Sequence, residues 1–325
     1  MVVQPTLQID MNFEKMPKFT VSIPAFKGNY LHEAIASVLA QTIDDWELVV
    51  VDDCSPEDLA SIVASFDDAR IRYYRNERNF GAEHVVGNWN MCLKYAHGDF
   101  IICMGDDDRL LPNCLEDLAA LTEKYPNLDV FYSRTQLIDE HSDVLETFPS
   151  RPQRESVYEM IWRRWNGGSM FIGDYCYRVS VLRARGGFYD LPFAWGSDAI
   201  SAYEVAKKNG IANTSVTGFQ YRVNRHSISS HTDNTDGKIR ALKLERKWFD
   251  DFFKEIPKEE QDLKILASLR RMKHSHFVHM LSADIIHGVM CNPIQQMKYW
   301  IANRKDTGLS RWELLKCVIH GLIRK

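Results

Sequence analysis

The apolar run Phe100-Ile101-Ile102-Cys103-Met104 leads, one glycine later, into three consecutive aspartates, Asp106, Asp107 and Asp108. An uncharged run of this length reads as a strand buried on both faces, as in a parallel sheet covered by helices. The aspartates then project from its carboxyl end, where open α/β sheets form their binding crevice. Three carboxylates crowded there repel one another unless a cation sits among them. A divalent ion held by oxygen ligands, with positions left for a diphosphate, meets that demand. The bland alternative is a solvated acidic loop, and the sequence around the triplet weighs against it.

That sequence has the order a parallel sheet requires. Val21-Ser22-Ile23 reads as a short strand, and Tyr30 to Leu39 as a helix with apolar positions 31, 34, 35, 38 and 39 on one face. Strands are expected at Glu47–Val51, Ile71–Tyr74 and Val130–Tyr132, with helices at Leu59–Phe66, Glu83–Tyr95 and Leu115–Lys124. Short links between them imply right-handed crossovers and an open sheet covered on both faces.

Two more strand ends are dense in polar residues, Pro24-Ala25-Phe26-Lys27-Gly28-Asn29 and Asp52-Asp53-Cys54-Ser55-Pro56-Glu57-Asp58. In a parallel sheet they rim the same edge as the triplet and outline a nucleotide-sized crevice. Asp53 can accept hydrogen bonds from a base N–H or a ribose hydroxyl, and Phe26 can cover a base face. Asp52 reads as a turn or cap residue, and Ser55 as the cap of the next helix. No GxGxxG or GxxxxGK[ST] pattern accompanies these strands, which argues against a dinucleotide oxidoreductase or a P-loop hydrolase.

The 325 residues, 45% apolar and 26% charged, leave room for a large core, and a net charge of -4 offers no broad footprint for nucleic acid. The first twenty residues lack a basic segment followed by an apolar stretch, and no run of eighteen apolar residues occurs, so neither an export segment nor a membrane span is expected. Seven scattered cysteines without a CxxC pair fit a reduced compartment and argue against a zinc site or a disulfide framework. The expected location is cytoplasmic.

The stretch VSIPAFKGNYLHEAIASVLAQTIDDWELVVVDDCSPEDL, followed by GDFIICMGDDDRLLPNCLEDL, resembles the nucleotide-sugar-binding half of family 2 glycosyltransferases. The resemblance is strong over roughly residues 19 to 130 and fainter to about 230. It implies an α/β GT-A-like fold, an open and mostly parallel twisted sheet flanked by helices. The implied division is a catalytic domain over residues 1–235, with a donor half at about 19–132 and an acceptor half at 133–235, then a helical C-terminal region at 236–325. It further implies that Pro24, Phe26, Asp53 and the triplet line a nucleotide-sugar site, UDP being the family's common nucleotide. The family's Asp-x-Asp pattern places its second aspartate on Asp107 and its first on Gly105, a departure that shifts the acidic pair along the triplet. Asp107 is the expected direct ligand of Mn²⁺ or Mg²⁺, Asp108 a second ligand or outer group, and Asp106 is expected near the ribose or first phosphate. Asn88, in the Asn88-Trp89-Asn90 segment, is a weaker contact for base or diphosphate. Trp89 reads as core and Asn79 as a turn former.

In the second half, residues 141–158 read as an excursion, and the Ser197-Asp198 pair matches the position at which the family keeps an acidic residue opening a helix. The resemblance makes Asp198 the general base that takes the acceptor hydroxyl's proton in an inverting transfer. Its competing role is that of a helix cap. Tyr221-Arg222-Val223-Asn224-Arg225-His226 resembles the segment closing the family's catalytic region, with Asn224 at the usual histidine position. Arg222, Arg225 and His226 are expected partners for diphosphate, and a surface ion pair is the alternative for the arginines.

Beyond Gly237 the chain reads as helices at Lys238–Phe253, Lys258–His287 and Pro293–Ala302. His274, His276 and His279 lack the spacing and partners of a zinc site. In SRWELLKCVIHGLIRK, residues Trp312, Leu315, Val318, Ile319, Leu322 and Ile323 form an apolar stripe among basic residues. That stripe suits an anionic bilayer surface, self-packing or a homo-oligomer seam. The partners expected overall are a nucleotide-sugar donor and a glycan, lipid-linked or protein acceptor. Two rival readings are a non-catalytic sugar-nucleotide-binding protein and a sugar-nucleotide pyrophosphorylase; PAFKGNYLHEAI offers the latter only Lys27 and Gly28 in place of a basic Gly-rich loop.

Overall fold

The computed structural model describes residues 16–223 and 235–323. Strands β1 (Phe19–Ala25), β2 (Trp46–Asp52), β3 (Ile71–Arg75) and β4 (Phe100–Cys103) run parallel in the spatial order β3-β2-β1-β4. Helices α1 (Leu31–Leu39), α2 (Leu59–Ala64) and α3 (Val85–Tyr95) make the crossovers. All seven residues of β2 are buried, as an internal strand covered on both faces demands. Ser55 does not cap α2: Asp58 does, accepting from the Ser61 N–H at 3.1 Å. Ser55 Oγ instead donates to the Phe26 carbonyl at 2.7 Å and ties the β1 and β2 ends together.

The second half is mixed. After β5 (Arg109–Leu110) and α4 (Cys114–Lys124) come β6 (Val130–Ile138), β7 (Val144–Thr147), β8 (Arg154–Glu155), α5 (Val157–Trp165), β9 (Tyr175–Arg178), α6 (Val179–Ala184), α7 (Ser197–Ala206) and β10 (Ile211–Arg222). Strand β9 lies antiparallel between β4 and β6, and β10 runs parallel to β6. Residues 141–158 therefore hold two short strands: β7, with all four residues exposed, pairs with β6, and β8 pairs with β10. Helix α5 starts with a capping box in which Ser156 and Glu159 satisfy each other's backbone N–H groups.

Helices α8 (Thr235–Phe252), α9 (Glu260–Cys291), α10 (Pro293–Thr307) and α11 (Arg311–Ile323) complete the chain. They share one continuous apolar core with β6, β9, α5 and α7, in which the Trp165 ring meets Phe249 edge-on at 4.9 Å. Helix α11 packs inward through Leu314, Cys317, Val318 and Gly321 and leaves Trp312, Leu315, Ile319, Leu322 and Ile323 exposed. No described helix is long and apolar enough to cross a membrane.

Candidate active site

Strands β1, β2, β4, β6 and β10 all point the same way, so their carboxyl ends share one sheet edge. Because β9 runs oppositely, its entry residue Asp174 meets that edge beside the end of β4. A Cβ on Gly173 would lie 2.5 Å from the Phe219 ring, which occupies the space a side chain would need.

Asp106 Oδ2 accepts the N–H groups of Phe26 and Lys27, both at 2.7 Å. The first aspartate of the triplet thus fixes the turn after β1 and presents Phe26, 39% exposed, at the crevice. Burial, with the neighbouring Asp107 charge, pushes the Asp106 carboxyl up to about 6, against the two amide bonds.

Gly105 carries the metal question. A Cβ there would lie 2.9 Å from both Asp107 Oδ1 and Asp108 Oδ2, so the two carboxylates converge on a space that only glycine leaves open. Among the described residues no three acidic, histidine or cysteine side chains cluster as a complete cage. Two carboxylates are nevertheless what Mg²⁺ or Mn²⁺ needs when substrate phosphates supply other ligands. Asp108 Oδ1 accepts the Arg222 N–H at 2.9 Å, so Oδ2 is the oxygen turned toward that space. Burial and the Asp107 charge hold the Asp108 carboxyl well above the ordinary range, a repulsion that a cation relieves. The donor set fits a divalent ion.

Across the crevice, Asp53 is nearly buried, accepting from Asn76 Nδ2 at 2.9 Å and from the Phe80 N–H at 3.1 Å to each oxygen. Pro24 is half-buried in β1 opposite Val51, two residues before Phe26. Asn88 departs from expectation: buried, it accepts from Asn76 at 2.9 Å and donates to the Val51 carbonyl at 3.1 Å. Its amide braces Asn76, which in turn donates to Asp53, and both its hydrogen-bonding atoms are engaged by the protein. Asp52, expected as a turn or cap residue, is instead the last residue of β2; its carboxylate accepts from the Ser55 N–H and the Tyr73 hydroxyl and pairs with Arg75. Trp89 sits in the core, edge-on to Phe188 at 5.8 Å.

Arg222 corrects a second expectation. It is fully buried, and its guanidinium donates to the Asp107 carbonyl (2.7 Å), the Asp139 carbonyl (2.9 Å), Ser142 Oγ (3.0 Å) and Glu33 (2.7 Å) while stacking 4.1 Å above Tyr30. Every guanidinium nitrogen is engaged by the protein, so it clamps the triplet's loop and does not face a diphosphate. Asn224, Arg225 and His226 lie outside the described residues.

Asp198 stands in the first turn of α7, half-buried, and accepts the Ala199 N–H at 2.7 Å. Burial raises its proton affinity, while Arg164 and the helix amides oppose the rise. The segment before it is strained at Phe193 and Ala194, with φ values of 58° and 55°, and turns into the helix through Gly196 at φ 85°, which glycine adopts without cost. Helix α8 braces this turn, with the Phe193 ring over Gly237 and Lys238 Nζ 4.2 Å above Trp195.

Three charged residues near Asp198 escaped the sequence reading: Asp174, Arg164 on α5 and Glu245 on α8. Glu245 alone left a signal, a charge on the stripe formed by Ile239, Leu242, Phe249 and Phe252. A separate recess of about 650 Å³, lined by Arg154, Lys207, Lys208 and Asp262, lies at the far end of α7, about 15 Å along the helix from Asp198.

The model of Glycosyl transferase family 2 matches residues 20–178, from β1 through β9. An Escherichia coli relative, UDP-Glc:alpha-D-GlcNAc-diphosphoundecaprenol beta-1,3-glucosyltransferase WfgD, is 30% identical over 238 residues, 72% of this chain and 85% of that one. The Campylobacter jejuni GalNAc(5)-diNAcBac-PP-undecaprenol beta-1,3-glucosyltransferase is 40% identical over 106 residues, only 32% of this chain and 34% of its own. Staphylococcus aureus TarS 1-349 in complex with UDP-GlcNAc aligns with a TM-score of 0.62 at 19% identity, over 82% of this chain and 80% of that one. At that identity the likeness establishes the GT-A-like fold alone. With the family model matching β1 through β9 and a relative 30% identical aligned over 72% of this chain and 85% of its own, the chain belongs to glycosyl transferase family 2.

Proposed function

We propose that this glycosyltransferase moves a sugar, with inversion, from a UDP-linked donor to a hydroxyl of a lipid-linked glycan, assisted by a divalent metal. The observation that carries the reading is the convergence of Asp107 and Asp108 over Gly105, on the sheet edge that also carries Phe26 after β1 and Asp53 after β2. The UDP and UDP-GlcNAc in the names of the TarS complexes support the choice of nucleotide. The diphosphoundecaprenol in the names of both relatives supports the acceptor class.

In this reading Phe26 covers the base, Asp53 receives its N–H or a ribose hydroxyl, and Asp106 holds the β1 turn against the donor. Asp107 and Asp108 would hold Mn²⁺ or Mg²⁺, which when bound would neutralise charge on the departing diphosphate. Asp198 takes the acceptor proton as the oxygen attacks from the face opposite the leaving group. The exposed apolar face of α11, flanked by Arg311 and Lys316, rests on an anionic membrane surface and brings the site to a lipid-borne acceptor.

Isothermal titration of UDP with and without Mn²⁺, followed by turnover of UDP-glucose and UDP-GlcNAc on sugar-diphosphate lipids, tests the proposal. Metal-dependent UDP binding with inverted product supports it. A folded protein that binds no nucleotide sugar with metal present overturns it.

A further inference from the structure

The loop that feeds α7 is fastened on two sides. On one side Phe188 donates its main-chain N–H to Asn90 Oδ1 on α3 at 2.9 Å, and its buried ring stands edge-on to Trp89, the preceding residue of that helix, at 5.8 Å. On the other, the N–H groups of Tyr189 and Leu191 donate to Ser201 Oγ at 2.8 Å and Ser197 Oγ at 3.0 Å, two buried hydroxyls on the opening turns of α7, which carry Asp198. Gly187 shows how closely loop and helix meet, for its φ is 104° and a Cβ there would lie 2.3 Å from Asn90 Oδ1. Backbone angle and space both demand glycine.

Helix α3 also reaches the donor side. Asn88 accepts from Asn76 at 2.9 Å, and the same Asn76 amide donates to Asp53 at 2.9 Å. Three consecutive residues of one helix thus serve both halves, Asn88 toward Asp53 and the pair Trp89 and Asn90 toward the loop that leads to Asp198. A base and a donor carried on separate segments need a fixed separation, because a displacement of about 1 Å from the reactive geometry can cost about 10²-fold in rate.

We propose that Asn90 is a positioning residue for the transfer, setting where Asp198 stands relative to a donor held at Asp53. Its work is on the loop and not on either substrate: it holds the Phe188 N–H, and through Tyr189 and Leu191 the loop holds the start of α7. The inference rests on the reading of Asp198 as the base.

The test compares the whole chain with Asn90→Ala, which removes the acceptor oxygen, and Asn90→Asp, which keeps it. Amide hydrogen exchange should quicken about fivefold or more within residues 187–198 of the Ala variant, stay unchanged at residues 46–53, and return toward wild type in the Asp variant. With UDP-glucose or UDP-GlcNAc, Mn²⁺ and the octyl diphosphate of α-linked GlcNAc, kcat of Asn90→Ala should fall about tenfold or more while UDP affinity stays within about twofold, and Asn90→Asp should recover most of the loss. Added to Asp198→Asn, the Ala substitution should cost no more than about twofold further, since a residue acting only through the base has nothing left to place. Unchanged exchange in the loop, an unchanged kcat, or the same tenfold loss on top of Asp198→Asn overturns the inference. Full activity of Asp198→Asn alone overturns the base reading and the inference with it. A wild type that turns over neither sugar counts against the substrate reading instead, and the exchange measurement then decides whether Asn90 holds the loop.

Discussion

The main-chain N–H of Arg222 donates to Asp108 Oδ1 over 2.9 Å, so the end of β10 and the aspartate triplet are held as one piece. The same residue's guanidinium grips the Asp107 carbonyl from the other side. Arg222→Ala should therefore lower stability by roughly 3 kcal/mol, through orphaned carbonyls and an emptied buried site. It should also weaken metal-dependent UDP binding without Arg222 touching the nucleotide. Arg222→Lys cannot span Asp107, Asp139 and Glu33 together, so it should rescue little of either loss. Urea unfolding and UDP titration read the two effects separately, and a stable variant with normal UDP affinity would remove the clamp role.

Gly105→Ala places a methyl group 2.9 Å from carboxylate oxygens of Asp107 and Asp108. We expect Mn²⁺ to improve UDP affinity in the wild type and to do so at least about tenfold less in this variant and in Asp107→Ala. Metal-free UDP affinity should change little. If Asp107→Ala keeps the full Mn²⁺ response, the ligand role passes to the other aspartates.

Asp198→Asn should leave UDP affinity nearly intact and lower turnover by about 10²-fold or more. Since burial raises the Asp198 proton affinity, the acid limb of the pH profile of kcat/KM should lie above an ordinary aspartate value of about 4. Full activity in the Asn variant rejects the base assignment.

The parallel half from β1 to β4 was legible because each of its strands is a short apolar run and each strand end a polar cluster. Gly105 and the three aspartates could be read directly, as could Asp198 at a helix start. Arg222 was misread because its chemistry suits a phosphate equally well. Only its burial against Tyr30, Glu33 and Ser142, contributed by distant segments, decides its role. Asn88 failed for the same reason, an amide being as good a brace as a ligand contact. Strand β9 could not be placed by pattern, since antiparallel insertion between β4 and β6 depends on pairing across more than thirty residues. The Ser156–Glu159 capping box was readable as the start of α5 and went unread.

Glu245 holds its proton up to about 7 in the folded chain, chiefly through burial, against an ordinary value of 4.5. Between those values the folded state binds more protons than the unfolded, so stability falls as the pH rises. The contribution is complete below about pH 4.5 and is lost as the pH climbs through about 7, amounting to roughly 3 kcal/mol. Glu245→Gln abolishes this titration, and its stability relative to wild type should improve from about pH 5 to about pH 8. Parallel pH profiles of urea unfolding would contradict the buried environment.

The outer face of α11 should decide partitioning onto membranes. Replacing Trp312, Leu315 and Ile319 together by serine removes exposed apolar surface and spares the inward Leu314, Cys317 and Val318, so the fold should persist. Sedimentation with anionic liposomes at low salt should fall several-fold. Equal sedimentation assigns the stripe to something other than lipid.

Strand β9 has a consequence for anyone recombining this enzyme with its relatives. A chimaera cut near residue 133, where the strand and helix pattern loosens, would take Tyr175–Arg178 from one parent and ask it to zip onto β4 of the other. The seam would then run through the middle of a hydrogen-bonded ladder, and a mismatch there would tilt the acceptor against the donor. Exchanging the segment after Arg178 keeps β4, β9 and β6 together as one inherited block. The exchange still carries β10, so its ladder with β6 and the Arg222 grip on Asp107 and Asp108 must be re-formed across the seam, and a donor parent has to match this chain at those two places.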